Sequence, residues 1–289
     1  MDATSRIETA LEAAVRRVEV QKSPPKLAAA IRYAIFPGGA RIRPRLCLAV
    51  ARACGDDQPL ITDAAAAAVE LMHCASLVHD DMPCFDDADT RRGKSTVHKA
   101  FGEPLALLSG DALIVMAFET LARNVGQAPL RLPGLITMLA RASGAPSGIV
   151  AGQAWECEPQ ISVSEYHRAK TGALFAAATV AGALAAGASP QGWRLLGERI
   201  GEAYQVADDI HDAVADAATC GKPCGQDIAH DRPSATRELG VEGAVERLKK
   251  LLGDAVDSIP ACEGANELKG VILAESKRFL PRSLARQAA

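Results

Sequence analysis

Five aspartates, Asp80, Asp81, Asp86, Asp87 and Asp89, crowd the stretch HDDMPCFDDADTRRGK (residues 79–94), and Arg91, Arg92 and Lys94 follow at once. Helical spacing over TDAAAAAVELMHCASLVHDDM predicts a helix from Thr62, its N-cap, to Met82, with Pro83 as its stop. On that helix His73, Ser76 and Asp80 share a face at i, i+3 and i+7. Asp80 and Asp81 then crowd the last turn, where the helix dipole disfavours carboxylates by ~0.3–1 kcal/mol each. Acidic residues placed against their own dipole point to a compensating cation. An oxygen-only donor set favours Mg2+ over zinc or copper. Taken alone, the cluster also reads as a solvated acidic turn, and Asp81, Asp87 and Asp89 stay open between outer ligands and solvated charge.

A second cluster, YQVADDIHDAVAD (204–216), puts Asp208 and Asp212 at i, i+4 on one helix face with Asp209 adjacent. Like charges at that spacing cost ~0.2–0.5 kcal/mol per pair in an isolated helix. Val206, Ala207, Ile210 and Ala213 flank them, so this is not an exposed polar helix. Two half-buried acidic clusters in a helical protein can face each other across a cavity. Mg2+ commonly binds one or two carboxylates plus substrate phosphates, so a polyphosphate substrate between the clusters is predicted. The basic residues fit that reading. GGARIRPR (38–45), Arg91, Arg92, Lys170 and Lys222 fall at helix starts, in loops or beside acidic motifs. Arginine binds phosphate bidentately and lysine as a point charge.

The elements that must position these groups are helices. Strand-like alternation never lasts, whereas helical spacing recurs at 4–20, 25–35, 44–55, 62–82, 104–125, 130–155, 163–188, 190–216, 241–258 and 264–280. A Gly-, Pro- and Asp-rich loop fills 220–235. No repeat or composition shift divides the chain, so one all-α domain over 1–289 is expected: about ten helices bundled around a central cavity. The 289 residues are 48% hydrophobic but only 4% aromatic, which suits closely packed Ala- and Leu-rich helices. The net charge of −3 offers no broad basic field for nucleic acid. Eight cysteines without a secretory signal read as reduced cytoplasmic thiols, and Cys220 and Cys224 lack the further ligands a zinc site needs. TGALFAAATVAGALAAGA (171–188) is uncharged and about long enough to span a membrane, but its Ala and Gly content predicts a buried core helix, and no membrane span is expected.

These motifs resemble those of the isoprenyl diphosphate synthases, the trans-prenyltransferase or polyprenyl synthetase family. DDMPCFD (80–86) matches its first aspartate-rich motif in the DDxxxxD form, with RRGK (91–94) following, and DDIHD (208–212), preceded by Gln205, matches the second. GGARIRP resembles GGKRxRP, AKTGALF (169–175) resembles KTxxL, and GKPCGQD (221–227) resembles GKxxGxD; SGDAL (109–113) also fits. The wording of PGGARIRP and AGQAWE looks most like geranylgeranyl diphosphate synthases of bacterial carotenoid pathways.

The resemblance implies a Mg2+-dependent head-to-tail condensation of isopentenyl diphosphate with an allylic diphosphate to give geranylgeranyl diphosphate. The allylic partner is farnesyl diphosphate, or the product is built successively from dimethylallyl diphosphate. It implies three Mg2+ ions: two on Asp80 and Asp86, the third on Asp208 with Asp212 outer-sphere. Arg91, Lys170 and Lys222 grip the allylic diphosphate. Arg41 or Arg43, with His73 and Arg92, holds isopentenyl diphosphate, and Thr171 and Gln205 line the reacting carbons. A homodimer is implied as well. Two positions depart from the family: Ala40 stands where its lysine belongs, and Arg232 replaces the usual loop lysine. Product length is set one turn back from Asp80. Ala75 and Ser76 are both small, so the growing tail passes them toward Met72, and a twenty-carbon product is expected.

Other readings are a farnesyl diphosphate synthase, a terpene cyclase and a non-catalytic regulatory subunit of a prenyltransferase. A cyclase mixes Asn, Ser or Thr with Glu in its second metal motif and wants an aromatic-rich pocket. Regulatory subunits usually lose one aspartate motif, and both are present here.

Overall fold

The computed structural model describes residues 2–124, 126, 128–160, 163–214 and 234–276. It opens with helices α1 (Ala3–Arg16), α2 (Pro25–Ile35), α3 (Ile42–Ala53) and α4 (Pro59–Asp80). A short hairpin, β1 (Thr90–Arg91) and β2 (Lys94–Ser95), separates these from α5 (Val97–Phe101) and α6 (Glu103–Asn124). Next come α7 (Leu132–Ser143), α8 (Ile149–Ala154), α9 (Val163–His167), a π-helical turn (Arg168–Gly172) and α10 (Ala173–Ala185). Helices α11 (Trp193–Val214), α12 (Ala235–Asp257) and α13 (Ala265–Ser276) complete the described chain. The expected all-α class is what these residues adopt.

Helix α4 is the centre of the bundle and packs mainly on α6, α3 and α10, while α10 packs on α11. Its run from Ala64 to Met72 is buried on every side. Alanines allow this, because a methyl group lets neighbouring helices come close without leaving voids. Two glycines permit close crossings of backbone on backbone. A Cβ on Gly182 of α10 would lie 2.4 Å from the Cys47 carbonyl oxygen of α3, and one on Gly197 of α11 would lie 2.4 Å from Ala176 Cα of α10. The 171–188 run forms α10, 13 residues long and almost wholly buried, as a core helix. Helices α4 and α6 are long and apolar enough to cross a membrane; 78% of the relevant window of α4 is buried inside the protein, against 44% for α6.

Several element boundaries differ from those expected. Helix α4 begins at Pro59, whose fixed φ suits a first helical position, so Thr62 is not its cap. Thr62 is fully buried and its hydroxyl donates to Asp56 Oδ1 at 2.5 Å. The helix expected over 130–155 divides into α7 and α8, because Pro146 lacks an N–H and disfavours helical geometry at Ala145. The first helix ends at Arg16, and in α12 a short helical segment from Ala235, where the Ser234 hydroxyl accepts from the Arg237 amide, precedes a break at Gly240 (φ 70°), after which the helix runs where it was expected. The last turn before α10 widens into the π-helical turn. The hairpin was not expected at all; it is made by Arg92 (φ 55°) and Gly93 (φ 75°), the two positive φ values a tight two-residue turn requires.

Candidate active site

The C-terminal end of α4 delivers Asp80 as its last helical residue and Asp81 as its C-cap. The following loop folds back on this end: the Asp86 amide donates to the Asp80 carbonyl (3.0 Å) and the Ala88 amide to that of Asp81 (3.2 Å). Asp86 is thereby returned to Asp80. A third carboxylate joins them from just beyond α8, so that ligand oxygens of Asp80, Asp86 and Glu156 all lie within 4.8 Å of one another. Glu156 is held by its neighbours. Tyr166 donates its hydroxyl to Oε1 (2.6 Å) and Gln153 its amide to Oε2 (2.9 Å).

Lys170 projects from the π-helical turn into this group, with Nζ 2.6 Å from Glu156 Oε1 and 3.0 Å from Asp80 Oδ1. Helix α8 crosses that turn so closely that a Cβ on Gly152 would lie 2.5 Å from the Lys170 amide nitrogen. Burial pushes the Asp80 carboxyl above its ordinary range; Lys170 pulls it back and Asp86 pushes it up again. Burial disfavours the Lys170 ammonium, but Asp80, Tyr166 and Glu156 outweigh it and keep the charge. One ammonium among three carboxylates leaves net negative charge in an all-oxygen site. Those residues fit a hard divalent cation.

Across a cavity of about 510 Å³ stands α11, with Asp208 and Asp212 on the cavity wall. The intervening Asp209 turns away and does structural work. It is 4% exposed, accepts from Gln205 Nε2 (3.1 Å) and caps α12 by accepting from the Ala235 amide (2.8 Å). Gln205 in turn accepts from the Thr171 hydroxyl (3.1 Å), so the two residues expected near the reacting carbons are joined.

The hairpin supplies further cations. Arg91 grips Asp81 Oδ1 through Nε (2.9 Å) and Nη2 (2.5 Å), which gives Asp81 the role of an anchor. Asp87 and Asp89 instead face outward and pair with Lys99 at 3.3 and 3.0 Å. Lys94 pins the hairpin to the end of α2, donating to the carbonyls of Tyr33 (2.5 Å) and Phe36 (2.7 Å) while lying 3.7 Å over the Tyr33 ring.

At the other end of the cavity, the Arg43 guanidinium lies 4.4 Å over the Phe175 ring, with Nη1 3.4 Å from His73 Nε2. Its buried Nε has no hydrogen-bond partner among the described residues. Burial and the arginines at 43, 92, 91 and 41 hold His73 well below the ordinary histidine range, so its imidazole is neutral. Arg41 differs from Arg43: its guanidinium is spent on Glu8, Glu70 and the Ile35 carbonyl. Of the residues expected to set product length, Ser76 is on the cavity wall with Leu77, Ile149 and Leu174. Ala75 and Met72, 1% and 2% exposed, lie buried behind it. Lys222 and Arg232 lie outside the described residues.

Sequence reasoning gave no role to Glu156, although AGQAWE was conspicuous. The usable signal was Gly152, a glycine within a helix four positions before an acidic residue.

The chain matches the polyprenyl synthetase family over residues 24–267. It is 59% identical over 280 residues to a geranylgeranyl diphosphate synthase of Cereibacter sphaeroides, covering 97% of each chain. It is 54% identical over 272 residues to a geranylgeranyl diphosphate synthase of Rhodobacter capsulatus, covering 94% of each. Among solved structures it resembles a geranyltransferase of Helicobacter pylori complexed with magnesium and isoprenyl diphosphate. The TM-score is 0.78 at 28% identity, covering 95% of this chain and 97% of that one.

Proposed function

The chain belongs to the polyprenyl synthetase family, and on that premise we propose that it is a geranylgeranyl diphosphate synthase, a single catalytic domain over residues 1–289. One observation carries the reading: two acidic walls, Asp80 with Asp86 and Asp208 with Asp212, face each other across a cavity that also receives Lys170, Arg91, Arg43 and Arg92. The family is Mg2+-dependent. Asp80 and Asp86, together with Glu156, would hold metal on one side and Asp208 on the other, with Asp212 outer-sphere, for three ions in all. At these carboxylates Mg2+ would supply positive charge against that developing on a departing pyrophosphate.

The side chains do the rest. Lys170 and Arg91, with Lys222, grip the allylic diphosphate and stabilise its negative charge as the C–O bond breaks. Arg43, Arg92 and the neutral His73 hold isopentenyl diphosphate with its alkene toward the allylic carbon. Thr171 and Gln205, fixed to each other, line the reacting centre. Leu77, Ile149 and Leu174 exclude water from the cation. Attack by the alkene is followed by loss of a proton to the pyrophosphate, so no protein base is required.

We assign the active form as a cytoplasmic homodimer. Helix α6 supports this with an exposed apolar face on which Leu107, Leu108 and Val115 are 48%, 50% and 66% exposed. A second reading, farnesyl diphosphate synthase, draws on Ala75 and Met72 lying behind the cavity wall instead of on it. Incubation of the purified protein with Mg2+, labelled isopentenyl diphosphate and each allylic starter separates the readings. Twenty-carbon diphosphate is the expected product. Fifteen-carbon product alone supports the second reading, cyclic hydrocarbon a cyclase, and no turnover a regulatory subunit.

A further inference from the structure

Arg41 has a left-handed backbone (φ 51°) at the N-cap of α3 and a side chain only 3% exposed. Its Nη1 lies 2.7 Å from Glu70 Oε1, its Nε 2.8 Å from Glu8 Oε1 and its Nη2 2.9 Å from the Ile35 carbonyl. Glu70 belongs to α4, is 2% exposed and precedes His73 by one turn on the same face. A charge pair this deep, beside a non-glycine residue in the left-handed region, costs desolvation and backbone strain, and the proposed chemistry makes no use of it.

The pair holds the turn Gly38–Gly39–Ala40. A Cβ on Gly38 would lie 2.1 Å from Arg41 Cζ, and a Cβ on Gly39 would lie 2.9 Å from Arg92 Nε. The turn therefore runs between two guanidiniums. Both guanidiniums reach the cavity wall with Arg43, but that of Arg41 is neutralised by Glu8 and Glu70. Ala40 adds no charge of its own, so the charge at this end of the cavity rests on Arg43 and Arg92, and their direction decides how a diphosphate is held.

We propose that Glu70 and Arg41 are positioning residues for the isopentenyl diphosphate subsite. The buried pair locks the start of α3 to α4 at the level of His73, and the turn it fixes aims Arg43 and Arg92 at one diphosphate. Neither Glu70 nor Arg41 touches the substrate. The inference rests on the reading that Arg43, Arg92 and His73 hold isopentenyl diphosphate.

The test varies each substrate separately in initial-rate assays of the full-length enzyme. Glu70→Gln keeps shape and removes charge; Gly38→Ala keeps every charge and inserts a methyl where the Arg41 guanidinium lies. Arg43→Gln reports on the underlying reading. Loss of one aligned contact corresponds to about tenfold in affinity. Glu70→Gln is expected to raise the KM for isopentenyl diphosphate about tenfold or more, and Gly38→Ala at least about threefold. The KM for the allylic substrate and kcat should stay within about twofold. If Arg43→Gln raises that KM but Glu70→Gln and Gly38→Ala leave it unchanged, the positioning role is overturned and the substrate reading stands. If Arg43→Gln also leaves it unchanged, the substrate reading itself fails. A fall in kcat with both KM values rising together would mark the pair as purely structural and overturn the proposal. Should Glu70→Gln not fold, Gly38→Ala decides.

Discussion

Replacing Glu156 by glutamine tests whether this residue serves the metal or only orients Lys170. Its carboxylate lies within 4.8 Å of ligand oxygens of Asp80 and Asp86, and its side chain is 18% exposed. At that separation and an effective dielectric of about 20, unit charges interact by roughly 3.5 kcal/mol. In the metal-free protein the substitution removes two repulsions and one attraction to Lys170, which largely offset. The amide oxygen can still accept from Tyr166 and Lys170, and the new NH2 can donate to Gln153 once that amide turns its oxygen toward it, so stability should change by less than ~1 kcal/mol. With a dication present the lost term is attractive and the charge doubled. Even after generous screening, ~1.4–3 kcal/mol of metal affinity should disappear, a tenfold to hundredfold rise in half-saturating Mg2+. Thermal shift measured against Mg2+ with inorganic pyrophosphate present, alongside activity against Mg2+, reads this directly. An unchanged Mg2+ dependence with an unchanged thermal shift would refute the reasoning and confine Glu156 to the hydrogen-bond network around Lys170.

Three further outcomes are expected. His73 is held neutral in the folded protein, whereas the unfolded chain takes up a proton near pH 6.5. Stability is therefore lost as pH falls below about 6.5, by up to ~1.4 kcal/mol per pH unit, and His73→Gln should flatten that slope in urea midpoints compared at pH 7.5 and 5.5. Ala75→Phe should shift the main product from twenty to fifteen carbons, at an overpacking cost of ~1–3 kcal/mol because Ala75 is 1% exposed; an unchanged product distribution would remove Ala75 from the account of length. Val115→Glu places a charge on the exposed face of α6 and should convert dimer to monomer in analytical ultracentrifugation; an intact dimer would move the interface elsewhere.

The two aspartate motifs were readable in the sequence because carboxylates spaced along an apolar helix have few explanations other than a cation. The helices that carry them were readable from periodicity. Partnership was not. Asp81 and Asp209 looked like further members of their clusters, but Asp81 anchors Arg91 and Asp209 caps α12, since adjacent residues on a helix point in different directions. Arg41 and Arg43 looked interchangeable two positions apart. Only the packing of α1 and α4 shows that Glu8 and Glu70 claim the first. Glu156 was hidden because a single acidic residue in a short turn has no periodicity to betray it. Its meeting with Asp80 depends on the close approach of α8 to the turn bearing Lys170.

The hairpin between α4 and α5 sets a distance. Arg91 and Arg92 are consecutive, so their Cα atoms are about 3.8 Å apart whatever the helices do. One reaches the end of α4 at Asp81 and the other the turn at Gly39. Because Lys94 ties the hairpin to α2, thermal breathing of the bundle moves both arginines together as a common-mode displacement. On the proposed roles of Arg91 and Arg92, the gap between the two diphosphates would be set from a single peptide unit, a stiffer base than the fit of one helix on another. A bisubstrate inhibitor for this protein should accordingly tolerate variation in its apolar tail far better than any change in the spacing of its two anionic heads.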